Sequence, residues 1–181
     1  MPLSDQQLLD TFRDNRRLAV PFFGGKEVEL FFEDEEELLE LAENVRSFMG
    51  LGEAQRLEAT RHLWAYFNDF TSDVGLEWVD AGLKALSADS PDIWNFVQPS
   101  TLSAERSWDL HSRDVLRPYV IVECNCDWEA EHGLLLSWRD GTELVKVSGY
   151  DGHATNGHAY NDLSRDAWVY NAVNPQFRTT A

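Results

Sequence analysis

The first part of the chain contains a short amphipathic stretch followed by two apolar runs. Apolar positions with helical spacing predict a short helix within residues 4–15. The apolar runs at 18–23 and 28–32 flank a Gly24-Gly25 pair, which is the pattern of a β-hairpin. Because Pro21 has no backbone N–H, we expect the first run at a sheet edge.

Three further segments carry apolar residues at helical spacing. One helix is predicted from the acidic run at Glu33 to a stop at Gly50, and a second over residues 53–70. A weaker amphipathic stretch over 74–86 ends at the break in residues 87–91. The acidic residues fall in the first turns of their helix, where the helix dipole favours negative charge in an ordinary solvent-exposed helix start.

Beyond Pro91 the period changes toward the two-residue alternation of strands. The Asp140-Gly141 pair between apolar runs is a strong signal for a tight hairpin. Helices followed by clustered strands predict an α+β fold, with an N-terminal hairpin and helices packed on a C-terminal antiparallel meander. We expect one domain over residues 1–181, with the hairpin and helices in 1–90 and the meander in 91–160. The candidate strands are 93–98, 101–107, 117–126, 134–139 and 143–148.

Composition and charge narrow the classes of partner. The 181 residues include 32 Asp and Glu against 15 Lys and Arg, which gives a net charge of −17. This balance argues against nucleic-acid binding through phosphate neutralisation and against an anionic membrane surface. The apolar content of 43 % argues against disorder, and no apolar run approaches the roughly 20 residues that span a bilayer. A basic protein partner or a metal cation fits the charge.

The N-terminus and the cysteines indicate a cytoplasmic location. The opening residues have no basic region followed by an apolar stretch, so no signal peptide is predicted. Cys124 and Cys126 are one residue apart, a spacing at which a disulfide is strained. Reduced thiols in a cytoplasm fit this spacing best.

Two segments hold most of the unusual polar residues. The segment 124–133 includes a predicted loop over 127–133 between two strands, and the segment 150–160 follows the third strand of the meander. Because strand ends on one side of a meander alternate, we expect both loops at one sheet edge, within reach of each other. The candidate functional residues in these loops are Asp127, Trp128, Glu129, Glu131, His132, Asp151, His153 and Asn156.

Metal binding is one alternative for these loops, although we predict no cofactor. The chain lacks the paired C-x2-C spacing of a structural zinc site, the H-E-x-x-H sequence and an EF-hand loop. Zinc or calcium therefore remains an alternative, with His132, His153 and Asp151 as candidate ligands. Residue types that zinc accepts occur at Cys124, Cys126, His132, His153 and His158, and calcium-type oxygen ligands at Asp127, Glu129, Glu131 and Asp151.

Acid–base catalysis is a second alternative for the same loops. An imidazole of His132 or His153 could act as a general base, with Glu131 or Asp151 holding its tautomer. A cysteine nucleophile is less favoured, because a thiol inside an apolar strand is usually a small buried hydrophobe.

A structural role is the third alternative. Trp128 and Leu134 would anchor a tight loop, while Asp151 and Asn156 bond backbone donors in a turn. In that case the unusual residues stabilise the fold and leave the function elsewhere.

Several short strings occur in a fixed order along the chain. They are P-F-F-G at 21–24, Y-F-N-D-F at 66–70, I-W-N-F-V at 93–97, D-W-E-x-E-H-G-L at 127–134 and Y-D-G-H-x-T-N at 150–156. This order resembles a family of uncharacterised bacterial proteins whose C-terminal domain has no assigned function. The resemblance covers nearly the whole chain and implies a bacterial, stand-alone soluble protein, but it implies no activity.

We rank a protein-binding role first, a structural scaffold second and an enzyme third. Residues 27–43 are rich in acids and contain no Lys or Arg, as expected of a surface that attracts a basic partner. Immunity proteins and antitoxins neutralise basic toxic nucleases in this way, so by analogy we expect an immunity- or antitoxin-like binding module.

Overall fold

The computed structural model describes residues 3–109 and 112–181, which form a six-stranded sheet with helices packed against it. The spatial order of the strands equals their order in the chain. The strands are β1 (Arg17–Val20), β2 (Lys26–Leu30), β3 (Val97–Asp109), β4 (Ser112–Cys126), β5 (Glu129–Arg139) and β6 (Glu143–Ser148). The helices are α1 (Asp5–Asp14), α2 (Glu35–Glu40), α3 (Ala42–Met49), α4 (Glu53–Val74), α5 (Ala81–Lys84) and α6 (Asn156–Ala159). The predicted α+β fold class is confirmed.

The N-terminal hairpin forms as predicted and joins the meander in a single sheet. Strands β1 and β2 pair antiparallel, and β1 lies at the sheet edge. Pro21 begins a short 3-10 turn between them. Strand β2 then pairs parallel with β3, with Leu30 opposite Leu102. The sequence pattern predicted a hairpin packed on the meander. In the structure the hairpin is instead hydrogen-bonded to the meander as part of the same sheet.

The middle helices differ from the predicted ones at their ends. The helix predicted to run to Gly50 is divided at Leu41, whose backbone leaves the helical region between α2 and α3. Helix α4 was predicted to end at residue 70 and continues to Val74, where Gly75 with a positive φ ends it. The weak amphipathic segment over 74–86 forms only the four-residue helix α5.

The meander forms, but its first three strands differ from the predicted ones: β3 continues through the predicted gap at 99–100, and β4 and β5 begin five residues earlier than expected. The strand predicted at 93–98 is wrong for most of its length, because Pro91–Phe96 form a 3-10 helix capped by Ser90, and β3 starts at Val97. The loop predicted at 127–133 is also too long, since β5 already begins at Glu129. Asp140 and Gly141 both have positive φ, as the tight turn between β5 and β6 requires.

The two faces of the sheet have different cover. The face toward the helices carries the main core, in which Phe22, Phe48 and Trp138 pack their rings together. The opposite face carries a small cluster of Tyr119, Ile121, Leu135 and Ala154. Ala154 belongs to the segment after β6, so this segment covers part of the second face.

In the part of the chain that the structure describes, no helix is both long and apolar enough to cross a membrane.

Candidate functional site

The turn between β4 and β5 is organised around the buried carboxylate of Glu129. Its oxygens accept hydrogen bonds from the backbone N–H groups of Glu131 (2.9 Å) and His132 (2.7 Å). The hydroxyl of Tyr66 on α4 lies 3.3 Å from the same carboxylate and donates at 2.9 Å to the carbonyl of Gly133. Glu129 is thus occupied by internal donors and holds the first residues of β5 in place.

Two more residues fix this turn to the helices and to β4. Trp128 is buried and packs edge-on against Tyr66 and Phe67, with ring centroids 6.0 Å apart in both pairs. Gly133 has a φ of +61°, and a Cβ there would lie 2.5 Å from the carbonyl oxygen of Cys124. The local sequence therefore needs glycine at the end of the motif and an aromatic anchor at its start.

The remaining polar residues of the turn point to solvent. Asp127 and Glu131 are exposed, and the side chain of His132 keeps 64 % of its surface accessible. His132 Nδ1 lies 3.4 Å from Glu129. The turn therefore presents one imidazole beside a buried carboxylate that backbone donors already occupy.

The sequence-based interpretation of Tyr66 missed its role at this turn. The spacing predicts the helix over 53–70, but it does not report the contact between Tyr66 and the β4–β5 turn. Burial raises the pKa of the Tyr66 hydroxyl well above its usual range, and the neighbouring Cys126 and Glu129 raise it further. Tyr66 consequently stays protonated and acts as a hydrogen-bond donor. The Y-F-N-D-F string was the one signal that could have identified it.

The segment after β6 is pinned to the second sheet face by an ion pair. Lys146 on β6 is completely buried, and its Nζ donates to both oxygens of Asp151 and to the carbonyl of His153 at 2.8 Å. Burial lowers the pKa of Lys146, and the hydrogen bond that it donates to Asp151 works against that shift. Asp151 therefore serves the fold here.

Asn156 holds a different part of the chain. Its side chain is buried, and its Nδ2 donates to the carbonyl of Trp168 at 2.8 Å. Thr155 caps α6 by accepting from the N–H of His158. Asn156 thus fastens the C-terminal segment rather than facing the other candidate residues.

The two loops are joined by a backbone hydrogen bond. The N–H of Tyr150 donates to the carbonyl of His132 at 3.0 Å, which places the loops in contact as expected. Beyond Tyr150 the chain turns across the second face, where Lys146 fixes Asp151 and His153. The candidate residues therefore fall into two separate groups, one at the β4–β5 turn and one over β6.

His153 lines an open groove of about 690 Å³ that we call the histidine groove. His158 also lines this groove, and the Nδ1 atom of His158 lies 2.9 Å from the Oγ of Ser107. The groove is lined by Trp108, His153, Gly157, His158, Asn161, Asp162 and Leu163.

The cysteines lie in the core. Both thiols are free and buried, and they face the helices. Burial raises the pKa of Cys126 to about 12 and that of Cys124 well above its usual range. Among residues 3–109 and 112–181, no three His, Cys, Asp or Glu side chains are grouped so that they could hold a metal ion.

A second groove lies on the uncovered part of the second sheet face, and we call it the acidic groove. Its volume is about 250 Å³. It is lined by Phe31, Phe32, Glu33, Glu37, Ser103, Ala104, Glu105, Ile121, Glu123, Leu135, Tyr150 and Gly152. These lining residues include four glutamates and no Lys or Arg. Sequence reasoning placed acidity in residues 27–43 but did not identify Glu105 and Glu123, because only the pairing of β2, β3 and β4 brings them beside that stretch.

The carboxylates of the acidic groove have few internal partners, although Glu37 accepts a hydrogen bond from the backbone N–H of Glu33 at 2.7 Å. None of Glu33, Glu37, Glu105 and Glu123 forms an ion pair with a residue that the structure describes. Other acids of the same stretch are paired, such as Glu35 with Arg13 at 2.5 Å. The groove carboxylates therefore have no ion-pair partner among the described residues, although His158, His153 and Lys146 lie near Glu105 and offset part of the rise in its pKa that burial causes.

Two exposed aromatic side chains border these carboxylates. Phe31 keeps 65 % of its surface accessible and Tyr150 keeps 50 %. The buried side chains of Ile121 and Leu135 lie at the floor. Although Glu105 is an exposed residue, its surroundings withdraw the carboxyl group partly from water, which raises its pKa.

No curated protein and no solved structure matches this chain. A family model described as a domain of unknown function, DUF6985, matches residues 5–154. The match includes the hairpin, the helices α1 to α5, the whole sheet and both His132 and His153, and it ends before Asn156. The expectation of an uncharacterised domain family is thereby confirmed, and the chain belongs to the family of the domain of unknown function DUF6985.

Proposed function

We propose that this chain is a cytoplasmic bacterial protein that binds a basic protein partner through the acidic groove, in the manner of immunity proteins and antitoxins. The observation that carries the proposal is the lining of the groove by four glutamates, with no Lys or Arg among the described lining residues. Such a surface is complementary to a positively charged one.

The electrostatic argument has a local and a global part. Locally, the carboxylates of Glu105 and Glu123 are unpaired among the described residues, so a partner's cation need not displace an internal one. Globally, the net charge of −17 attracts a basic protein over distances of about a Debye length, roughly 8 Å at physiological ionic strength. Both parts favour rapid encounter with a basic partner.

The shape of the groove supports a protein partner. Aromatic residues are enriched in protein–protein interfaces and often dominate the binding energy. Two exposed aromatic residues, Phe31 and Tyr150, line this groove. An apolar floor beneath a charged rim matches the usual anatomy of such interfaces.

The metal-binding and acid–base alternatives have less support. Backbone N–H groups and Tyr66 occupy Glu129, and Lys146 occupies Asp151. The scaffold alternative explains these two residues well, and it is compatible with binding at a different surface. For this reason we place the function in the acidic groove rather than in the two motif loops.

The test uses three proteins and one labelled probe, a short extended peptide with equal numbers of Lys and Arg. The proteins are the wild type, the groove variant E105Q/E123Q and the control variant E58Q/E77Q. Glu58 and Glu77 are exposed, do not line the groove and change the net charge by the same amount when substituted. Binding is measured by fluorescence anisotropy at low and at physiological ionic strength.

The proposal predicts that the wild type binds the peptide and that salt weakens the complex. The groove variant is expected to bind roughly tenfold more weakly, since two exposed charge contacts of about 0.5–1 kcal/mol each are lost. The control variant should lose about twofold at most. Equal weakening in both variants, or no binding to the wild type at low salt, would overturn the proposal.

A further inference from the structure

We infer that the acidic groove recognises arginine, presented by an extended segment of the partner, in preference to lysine. This inference rests on the proposed function and concerns the same groove. The juxtaposition that carries it is the placement of exposed aromatic faces beside unpaired carboxylates over an apolar floor.

Guanidinium and ammonium groups use such a surface differently. The guanidinium is planar, donates two parallel hydrogen bonds to one carboxylate and stacks on aromatic rings. The ammonium of lysine is a compact and strongly hydrated charge that gains less from an aromatic face. Phe31 and Tyr150 therefore add to the binding of arginine more than to that of lysine.

The apolar floor of the groove also favours the binding of a long side chain such as arginine. Ile121 and Leu135 lie under the carboxylates and can contact the aliphatic part of a long side chain whose charged end reaches a glutamate.

The chain itself uses this chemistry for its own arginines. The guanidinium of Arg16 lies 4.1 Å from the ring centre of Phe12, and that of Arg165 lies 4.3 Å from Tyr160. Arg139 forms hydrogen bonds of 2.7 Å with both oxygens of Glu143. Aromatic faces and glutamates on this molecule thus already hold guanidinium groups. The described lining residues of the groove include the same kinds of partner and no arginine.

The sheet register sets the spacing of the recognised arginines. Glu105 lies opposite Tyr119, and Glu123 is four residues further along β4 on the same face. At about 3.4 Å per residue, this separates the two positions by about 14 Å along the strand. An extended segment that follows the strand direction covers that distance in four residues, so we expect its two arginines to be separated by three residues.

The test compares two peptides of equal length and charge, which differ only in carrying two arginines or two lysines at that spacing. Their affinities are measured for the wild type, for F31A/Y150A and for W78A. Trp78 is 89 % exposed and does not line the groove, which makes it a matched control for the loss of an exposed aromatic ring.

The wild type and W78A are expected to bind the arginine peptide about tenfold more tightly, as two aromatic contacts of about 0.5–1 kcal/mol imply. In F31A/Y150A the preference should fall to about twofold, with little change for the lysine peptide. Equal wild-type affinity for the two peptides, or a preference that survives in F31A/Y150A, overturns the inference while the proposed function stands. If neither peptide binds the wild type, the proposed function fails as well.

Discussion

The ammonium group of Lys146 lies 2.6 Å and 2.7 Å from the two carboxylate oxygens of Asp151, at a position where Lys146 has no exposed surface. This pair joins β6 to the segment that crosses the second sheet face. It explains why the Y-D-G-H string needs an aspartate: without it, a buried cation would lose its counter-charge.

Replacing Asp151 by Asn should therefore destabilise the protein strongly. The lysine is buried and the aspartate is one-third exposed, so losing this pair is expected to cost about 1.5–3 kcal/mol, the range of hydrogen bonds to charged groups. Urea unfolding measures the loss, and Lys146→Met serves as the comparison because it removes the buried charge. We expect K146M to lose clearly less than D151N. A loss below about 0.5 kcal/mol for D151N would contradict this role, since ordinary surface substitutions fall in that range.

Acidification should destabilise the fold through His62 on α4. His62 is buried, its Nδ1 lies 2.6 Å from Thr179 Oγ1, and burial together with the charge of Arg61 lowers its pKa to about 4. Between pH 6.5 and pH 4, His62 is protonated in the unfolded chain but mostly neutral in the folded chain. The free energy of unfolding therefore falls as the pH drops from 6.5 toward 4.

The size of this effect follows from the two pKa values. Between pH 7 and pH 5 the free energy of unfolding should fall by about 2 kcal/mol on account of His62. Urea unfolding of the wild type and of His62→Gln across this range isolates the contribution. Parallel pH profiles for the two proteins would show that His62 is not responsible.

Glu129 should matter for stability and its neighbour Glu131 should not. Glu129→Ala removes the acceptor of two backbone N–H groups and is expected to cost about 2–3 kcal/mol, typical of buried hydrogen bonds to a charged group. Glu131→Ala removes an exposed carboxylate two residues away and should change stability by less than about 0.5 kcal/mol. Thermal unfolding of both variants provides the comparison, and similar melting temperatures would count against the buried role of Glu129.

The thiols of the folded protein should resist modification at neutral pH. Burial raises the pKa of Cys126 to about 12, so only about one molecule in ten thousand carries a thiolate there at pH 8. A thiol reagent added to the native protein should react far more slowly than one added in denaturant, where two thiols per chain react. Rapid reaction of the native protein would mean that β4 opens easily.

The features that the sequence predicted correctly are local ones. The Gly24-Gly25 turn and the Asp140-Gly141 turn were identified because positive φ angles at those positions select glycine and aspartate directly. The break at Leu41 was missed since the apolar stripe continues through it. The 3-10 helix at Pro91–Phe96 has the short apolar run of a strand, although the side chain of Ser90 caps it as a helix.

The parts of the site that were missed depend on pairing between distant residues. The parallel contact of Leu30 with Leu102 brings the acidic stretch beside β3, and no periodicity reports such a contact. In the sequence, Glu105 and Glu123 are ordinary polar positions of strands with alternating polarity. Only the pairing of β3 with β4 brings them to the same groove. The motif loops, in contrast, were visible as rare residues, but many of these residues bond the backbone and hold the fold.

The most direct test of the central claim is chemical-shift mapping of the arginine peptide on the isotope-labelled protein. If the account is right, the shifted amide signals cluster around Phe31, Glu33, Glu105, Glu123 and Tyr150. At the same peptide concentration these shifts should be much smaller in E105Q/E123Q and nearly unchanged in E58Q/E77Q. Shifts centred on the helix-covered face or near Trp78, or a pattern that E105Q/E123Q leaves unchanged, would contradict binding at the acidic groove.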